Sequence, residues 1–240
     1  MKILITFRVE KYELSKEYRR VFTHILKDGL SGINNGKYYN EFYNGTNPKN
    51  FTFSIFFDGP EFKKDKIVIQ SNQIRMLLST SDKKTGFILY NCLLEQKGKK
   101  YPLENDNELQ LISVRSIKEL EVKDKKILVK MNSPLVIREH IKDGNKDYYY
   151  SFEKEEFLAK AKQTMKRQLL QAGFAEDIIG EVNIQPLKCK KVIVTHYGCK
   201  IETTVGILLL EGNETILSYF LRAGIGSRKS EGFGMLELLA

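Results

Sequence analysis

The sequence predicts an α+β fold built from two tandem ferredoxin-like domains, residues 1–120 and 125–240. Three observations carry this. The first half reads strand, helix, strands, helix, strand, which is the split βαβ order. After a polar joint near residues 119–126 the same order begins again. The length of 240 residues suits two modules of roughly 100–130 residues each. The duplication lies in element order alone, with no repeat in the residues themselves.

From Lys2 to Glu10 apolar and polar side chains alternate, which puts Ile3, Ile5, Phe7 and Val9 on one face of a strand. Ser15 is expected to cap a helix in which Tyr18, Val21, Phe22, Ile25 and Leu26 recur at helical spacing. Gly29, Gly32 and the run Asn34-Asn35-Gly36 close it. A short aromatic helix follows over Tyr38, Tyr39, Phe42 and Tyr43, and Gly45-Thr46-Asn47-Pro48 breaks the chain. Strands are expected from Phe51 to Phe57, around Phe62 to Gln70, and from Arg75 to Ser81. Thr85 opens an amphipathic helix through Leu94, Lys97-Gly98-Lys99-Lys100 forms a turn, and Glu108 to Val114 is the last strand of the half.

In the second half, Lys126 to Met131, Leu135 to Glu139 and Tyr148 to Phe152 read as strands. Glu153 to Gln171 is the longest helix, with Phe157, Leu158, Ala161, Met165, Leu169 and Leu170 inward and a mixed-charge outer face. Val182 to Leu187 and Val192 to Thr195 are strands, His196-Tyr197-Gly198 a turn, and Ile201 to Leu210 a strand. Glu214 to Arg222 is a helix and Phe233 to Leu239 the final strand. His140 and His196 are expected at the surface. Of Tyr148-Tyr149-Tyr150, only alternate residues share a strand face.

Composition narrows the function. Hydrophobic residues make up 42% of the chain, enough for a core and too many for disorder. Three cysteines without a CxxC pair argue against a disulfide scaffold or zinc ribbon and for a reducing, cytoplasmic setting. No apolar run approaches the roughly 20 residues of a membrane helix, so no membrane partner is expected. Arg8 and Glu10 come too early for a signal peptide. The constellations of cysteine or metal hydrolases are missing, so neither metal nor other cofactor is expected. With 39 Lys+Arg against 30 Asp+Glu, the net charge of +9 points to a polyanion.

The sharpest local feature is Gly224-Ile225-Gly226-Ser227-Arg228-Lys229-Ser230-Glu231-Gly232-Phe233-Gly234. Backbone N–H groups freed by glycine, with Arg228 and Lys229 beside them, suit phosphate oxygens. A Rossmann or P-loop reading fails, because those glycines follow a strand and open a helix, whereas these follow a helix and lead into a strand. On this basis Arg222, Gly224, Gly226, Ser227, Arg228, Lys229, Ser230, Gly232 and Gly234 are the candidate phosphate-binding residues, and the resemblance described next makes the polyanion RNA.

This loop resembles the glycine-rich signature of the repeat-associated CRISPR protein superfamily, and more narrowly that of the CRISPR repeat endoribonucleases. Pro48-Lys49-Asn50-Phe51-Thr52-Phe53-Ser54, Ser133-Pro134-Leu135-Val136-Ile137-Arg138 and Gly206-Ile207-Leu208-Leu209-Leu210-Glu211-Gly212 are similar to further family stretches, as is the Arg19-Arg20 helix. The resemblance implies RRM-like domains around a central cleft. It implies metal-independent cleavage of precursor crRNA within each repeat, leaving a 2′,3′-cyclic phosphate and a 5′-hydroxyl. Its implied partners are CRISPR repeat RNA and other CRISPR effector subunits, with the protein a monomer or homodimer. A non-catalytic crRNA-binding subunit of the same superfamily is the alternative. Family members commonly use a Tyr, a His and a Lys near the first helix and the following loop. Lys49, directly before the Phe51-Thr52-Phe53-Ser54 strand, matches the lysine. Tyr43, six residues earlier, stands where the family's histidine usually lies. His24 on the first helix is the remaining candidate proton carrier, so the expected catalytic set is His24, Tyr43 and Lys49.

Overall fold

The computed structural model describes residues 1–43 and 49–239. The expected break at Gly45-Thr46-Asn47-Pro48 lies outside the described residues.

The first half contains β1 (Lys2–Val9), β2 (Glu13–Ser15), α1 (Arg19–Gly32), α2 (Lys37–Tyr43), β3 (Phe51–Phe56), β4 (Glu61–Phe62), β5 (Lys66–Val68), β6 (Gln73–Thr80), α3 (Lys83–Glu95), β7 (Lys100–Leu103) and β8 (Asn107–Ile117). Its main sheet runs β3-β6-β1-β8-β7, every neighbouring pair antiparallel. Without the added edge strand β7, this is the ferredoxin-like order. Alternation puts Ile3, Ile5, Phe7 and Val9 of central β1 fully inside. Against them pack Phe22, Ile25, Leu26 and Leu30 of α1, with Phe7 and Phe22 edge to face at 5.2 Å.

The second half contains β9 (Lys126–Met131), β10 (Arg138–Ile141), β11 (Lys146–Tyr149), α4 (Phe157–Gln171), α5 (Glu176–Ile179), β12 (Asn183–His196), β13 (Cys199–Glu211), α6 (Glu214–Ala223) and β14 (Leu236–Leu238). Its sheet runs β12-β13-β9-β14, the same ferredoxin-like order, and β10 and β11 form a separate hairpin. The protein is therefore α+β with two tandem ferredoxin-like units.

Several elements differ from expectation for local reasons. Ser15 does not cap α1; it pairs with Lys66 in β2, and α1 starts after Tyr18 with no side-chain cap. α3 is capped by Asp82, whose carboxylate accepts from Thr85 N at 2.7 Å. Lys100 leaves the expected turn and opens β7, paired to β8. Of the expected strand from Leu135 to Glu139, only Arg138 and Glu139 join a strand, β10, paired to β11, while Leu135 makes an isolated bridge to Thr204. The Val136 carbonyl is instead taken by Ser227 N at 2.8 Å. The two expected strands from Val182 and Val192 are one 14-residue strand with an irregularity between Pro186 and Lys188. Proline supplies no N–H to the ladder there, so the bulge absorbs it.

The units meet along β3. Thr52 Oγ1 donates to the Phe233 carbonyl at 2.8 Å and Ser54 Oγ to the Asn132 carbonyl at 2.6 Å. Both donors come from the FTFS segment, so that segment holds the second unit's terminal loop.

Candidate nucleic-acid interface

Because α1 buries its Phe22/Ile25/Leu26/Leu30 face, Arg20, His24 and Lys27 share the opposite one. These three line a cavity of about 670 Å³, closed on other sides by the Leu103–Asn105 turn and by Tyr197 from the second unit. Arg20 lies 5.0 Å over the Tyr197 ring and donates to Glu17 Oε2 at 2.7 Å.

Lys27 also reaches the next group along. Its Nζ is 4.9 Å from the centre of the Tyr43 ring, and Lys49 Nζ is 5.7 Å from the same ring. Tyr43 stacks on Tyr39 at 5.9 Å, and its hydroxyl is buried with no hydrogen-bond partner among the described residues. Burial pushes the phenol's pKa well above its ordinary value, so it stays protonated at neutral pH. Burial lowers the Lys49 pKa, with the Glu231 charge acting against that and Lys27 with it. His24 faces the cavity, while Tyr43 and Lys49 are not among its walls. Lys27 belongs to both groups and joins them.

The glycine loop packs inward instead of standing open. Ile225 N donates to the Gly234 carbonyl at 2.9 Å, and Gly234 N to the Pro134 carbonyl at 2.9 Å. Gln168 Nε2 donates to the Gly224 carbonyl at 2.8 Å, and Gly226 lies close against the Val136 carbonyl. At Gly232, φ is +87° and a Cβ would come within 2.7 Å of the Phe53 ring. These glycines seat the loop on β3 and on the chain around Val136.

The loop's charged residues are engaged in different ways. Arg228 donates to Glu231 at 2.9 Å, Tyr149 Oη at 3.2 Å and Asp147 at 3.4 Å. Burial alone would raise the Glu231 carboxyl, but the His196 hydrogen bond and the Arg228 guanidinium outweigh it and hold it below the usual carboxylate range. Lys229 and Ser230 are buried, and the Lys229 amine has no hydrogen-bond partner among the described residues. Burial brings that amine's pKa down to about 7. Arg222 stands apart from this cluster, paired with Glu119 at 3.0 Å beside a smaller cavity of about 370 Å³.

His196 corrects the surface expectation. It ends β12, is 2% exposed, and its Nε2 lies 2.6 Å from Glu231 Oε2. Its ring is enclosed by Tyr197 and Phe233. His140 is exposed and bonds Asp147 at 2.9 Å. Of the three consecutive tyrosines, Tyr149 and Tyr150 turn their hydroxyls to Asp147 and Glu139, and Tyr148 is exposed.

A family model, CRISPR associated protein Cas6, C-terminal, matches residues 117–238. The chain belongs to the Cas6 family. No curated protein matches it by sequence. Among solved structures, a Cas6-related protein from Pyrococcus furiosus superposes with a TM-score of 0.86 at 18% identity, covering 100% of this chain and 98% of that one. An RAMP protein described as binding different RNA substrates superposes at 0.83 with 19% identity, covering 100% of both chains. A Cas6 product complex superposes at 0.70 with 14% identity, covering 99% of each. At these identities the likeness is one of fold.

Cas6 proteins as a family act in CRISPR RNA processing. In this Cas6 chain, sequence reading nominated His24, Tyr43 and Lys49 as candidates and did not nominate Lys27, Tyr197 or Glu231, which lie beside them. Lys27 had a local signal, since it follows His24 by one helical step. Glu231 stood inside the glycine loop without being singled out, and Tyr197 had no local signal, because contacts between the two units bring it to the cavity. Among the described residues no His/Cys/Asp/Glu group has the makings of a metal site, and no helix is long and apolar enough to cross a membrane.

Proposed function

We propose that this Cas6 protein is a CRISPR repeat endoribonuclease that cuts precursor crRNA without a metal ion. In this reading residues 1–120 carry the active site and residues 125–240 supply the glycine loop. The 2′-oxygen attacks its neighbouring phosphorus, the bond to the 5′-oxygen breaks, and the products are a 2′,3′-cyclic phosphate and a 5′-hydroxyl. His24 accepts the 2′-hydroxyl proton, an exchange suited to imidazole near neutral pH. Tyr43, kept protonated by burial, donates to the leaving oxygen. Lys27 and Lys49 stabilise the charge that develops on the phosphorane. The observation that carries this reading is the convergence of the two ammonium groups on the Tyr43 ring, 4.9 and 5.7 Å away, beside the cavity faced by His24.

The partner is CRISPR repeat RNA, with other CRISPR effector subunits as further partners and the protein acting as a monomer or homodimer. One feature favours a second reading, a crRNA-binding subunit without activity. The Tyr43 hydroxyl is buried and His24 belongs to the neighbouring cavity, so the proton carriers are split between two groups. Labelled repeat RNA incubated in EDTA separates the readings. Cutting at one site, abolished by a single 2′-deoxy substitution at the scissile nucleotide, supports the enzyme. Binding without cutting across roughly pH 6 to 9 overturns it in favour of the second reading.

A further inference from the structure

Tyr197 sits at the tip of the β12–β13 hairpin in a conformation that its residue type does not favour. Its φ is +50°, followed by +73° at Gly198. Two successive positive φ values make a turn in which Asn-Gly is the preferred pair and a bulky side chain is strained. Strain of this kind persists only where the surroundings enforce it, and it clusters at ligand clamps.

The surroundings enforce it here. Gly198 N donates to Glu17 Oε1 at 2.7 Å, tying the turn to the start of α1. Beneath it, buried His196 meets the Tyr197 ring edge to face at 4.6 Å. The ring is thus held firmly, yet it is 46% exposed and forms part of the cavity wall. Arg20 lies over it with its guanidinium tethered by Glu17. The ring covers one side of His196, and the part of it left exposed is presented to the cavity.

We propose that Tyr197 and Arg20 form a stacking platform for one unpaired base of the bound RNA, at the junction of the two units. The proposal rests on the RNA-binding reading above. With Arg20 stacked over one face of the ring, the guanidinium plane and the ring face left uncovered are the surfaces on which unstacked bases settle. The cavity, about 670 Å³, lies within the range that encloses a small ligand. With the base on Tyr197, the adjoining phosphates run along α1 past His24 to Lys27 and Lys49. A base stacked within a helix is not free to stack on the platform, so the platform favours single-stranded RNA at that position.

The chain contains no tryptophan, so Tyr197→Trp introduces a single fluorescent reporter at the platform. The probe is repeat RNA carrying a 2′-deoxy scissile nucleotide, titrated in EDTA. Single-stranded probe should quench the fluorescence, fully paired probe should not, and an abasic site walked along the RNA should remove the quench at one position. Tyr197→Asn suits the turn better and lacks the ring. It should keep or raise the melting temperature while weakening binding about 5- to 100-fold, with Tyr197→Phe close to wild type. Affinity of Tyr197→Asn within about twofold of wild type overturns the platform, as does a quench indifferent to pairing or to every abasic site. Failure of cleavage by the wild type leaves the quench intact, and loss of the quench leaves cleavage intact, so the two readings fail separately.

Discussion

The Arg19 guanidinium lies 4.9 Å from the centre of the Phe233 ring, across the boundary between the two units. Its other neighbour is the Tyr18 ring at 4.6 Å, and its Nε donates to the Gly232 carbonyl at 3.1 Å. A delocalised cation between aromatic faces is well suited to a buried contact of this kind. Arg19→Met keeps the stem but orphans the carbonyl and loses both ring contacts. It should cost about 1–3 kcal/mol, and the thermal transition should broaden as the units uncouple. A single sharp transition at the wild-type temperature would show that Arg19 does not hold the units together.

Gly232→Ala tests the seating of the loop. Alanine at φ +87° is strained, and its Cβ would lie 2.7 Å from the Phe53 ring. The backbone cost is about 1–2 kcal/mol and overpacking adds about 1–3 kcal/mol. RNA affinity measured well below the new melting temperature should also fall, because the loop must lift from β3. Retained stability would mean that the Phe53 ring has room to move.

Lys229 gives a pH signature. Burial brings the folded amine's pKa to about 7, against 10.5 for the free group. Between those values the unfolded chain holds a proton that the folded protein has released, so stability should rise with pH across that window. Below about 7 both states are protonated and the cost of the buried charge is complete. Lys229→Met should abolish this slope and raise the denaturation midpoint at neutral pH. A wild-type midpoint that is flat over the window would show that the amine reaches water.

The catalytic assignment separates by kinetics. Lys49→Ala should slow single-turnover cleavage about 100- to 1,000-fold while most binding remains. His24→Ala should lose about 100-fold or more and one limb of the pH–rate profile. Lys27→Ala should impair both rate and affinity, since Lys27 joins the cavity to the Tyr43 pair. An unchanged rate for any one of these removes that residue from the mechanism.

Local patterns made much of this legible. The alternation of Ile3, Ile5, Phe7 and Val9 specifies β1 because a strand repeats every two residues, and the spacing of Phe22, Ile25 and Leu26 specifies α1 for the corresponding helical reason. Caps were less legible. Ser15 and Asp82 are both suited to the role, and only the pairing of Ser15 with Lys66 excludes it. The chain from Leu135 to Ile137 reads as strand from its apolar character, but its backbone is committed to Thr204 and to the glycine loop.

The sequence by itself determined the α+β class and the repeated ferredoxin-like order, which rest on periodicities a few positions long, and the basic charge, which rests on composition; His24, Tyr43 and Lys49 it offered as candidates through a family resemblance. Tertiary structure alone decided that the glycine loop packs against Phe53, that His196 is buried on Glu231, and that Tyr197 reaches α1. Those contacts join residues far apart in sequence, such as Gly198 and Glu17, and no periodicity encodes them. Their form follows from how two sheets and the loop between them share one boundary.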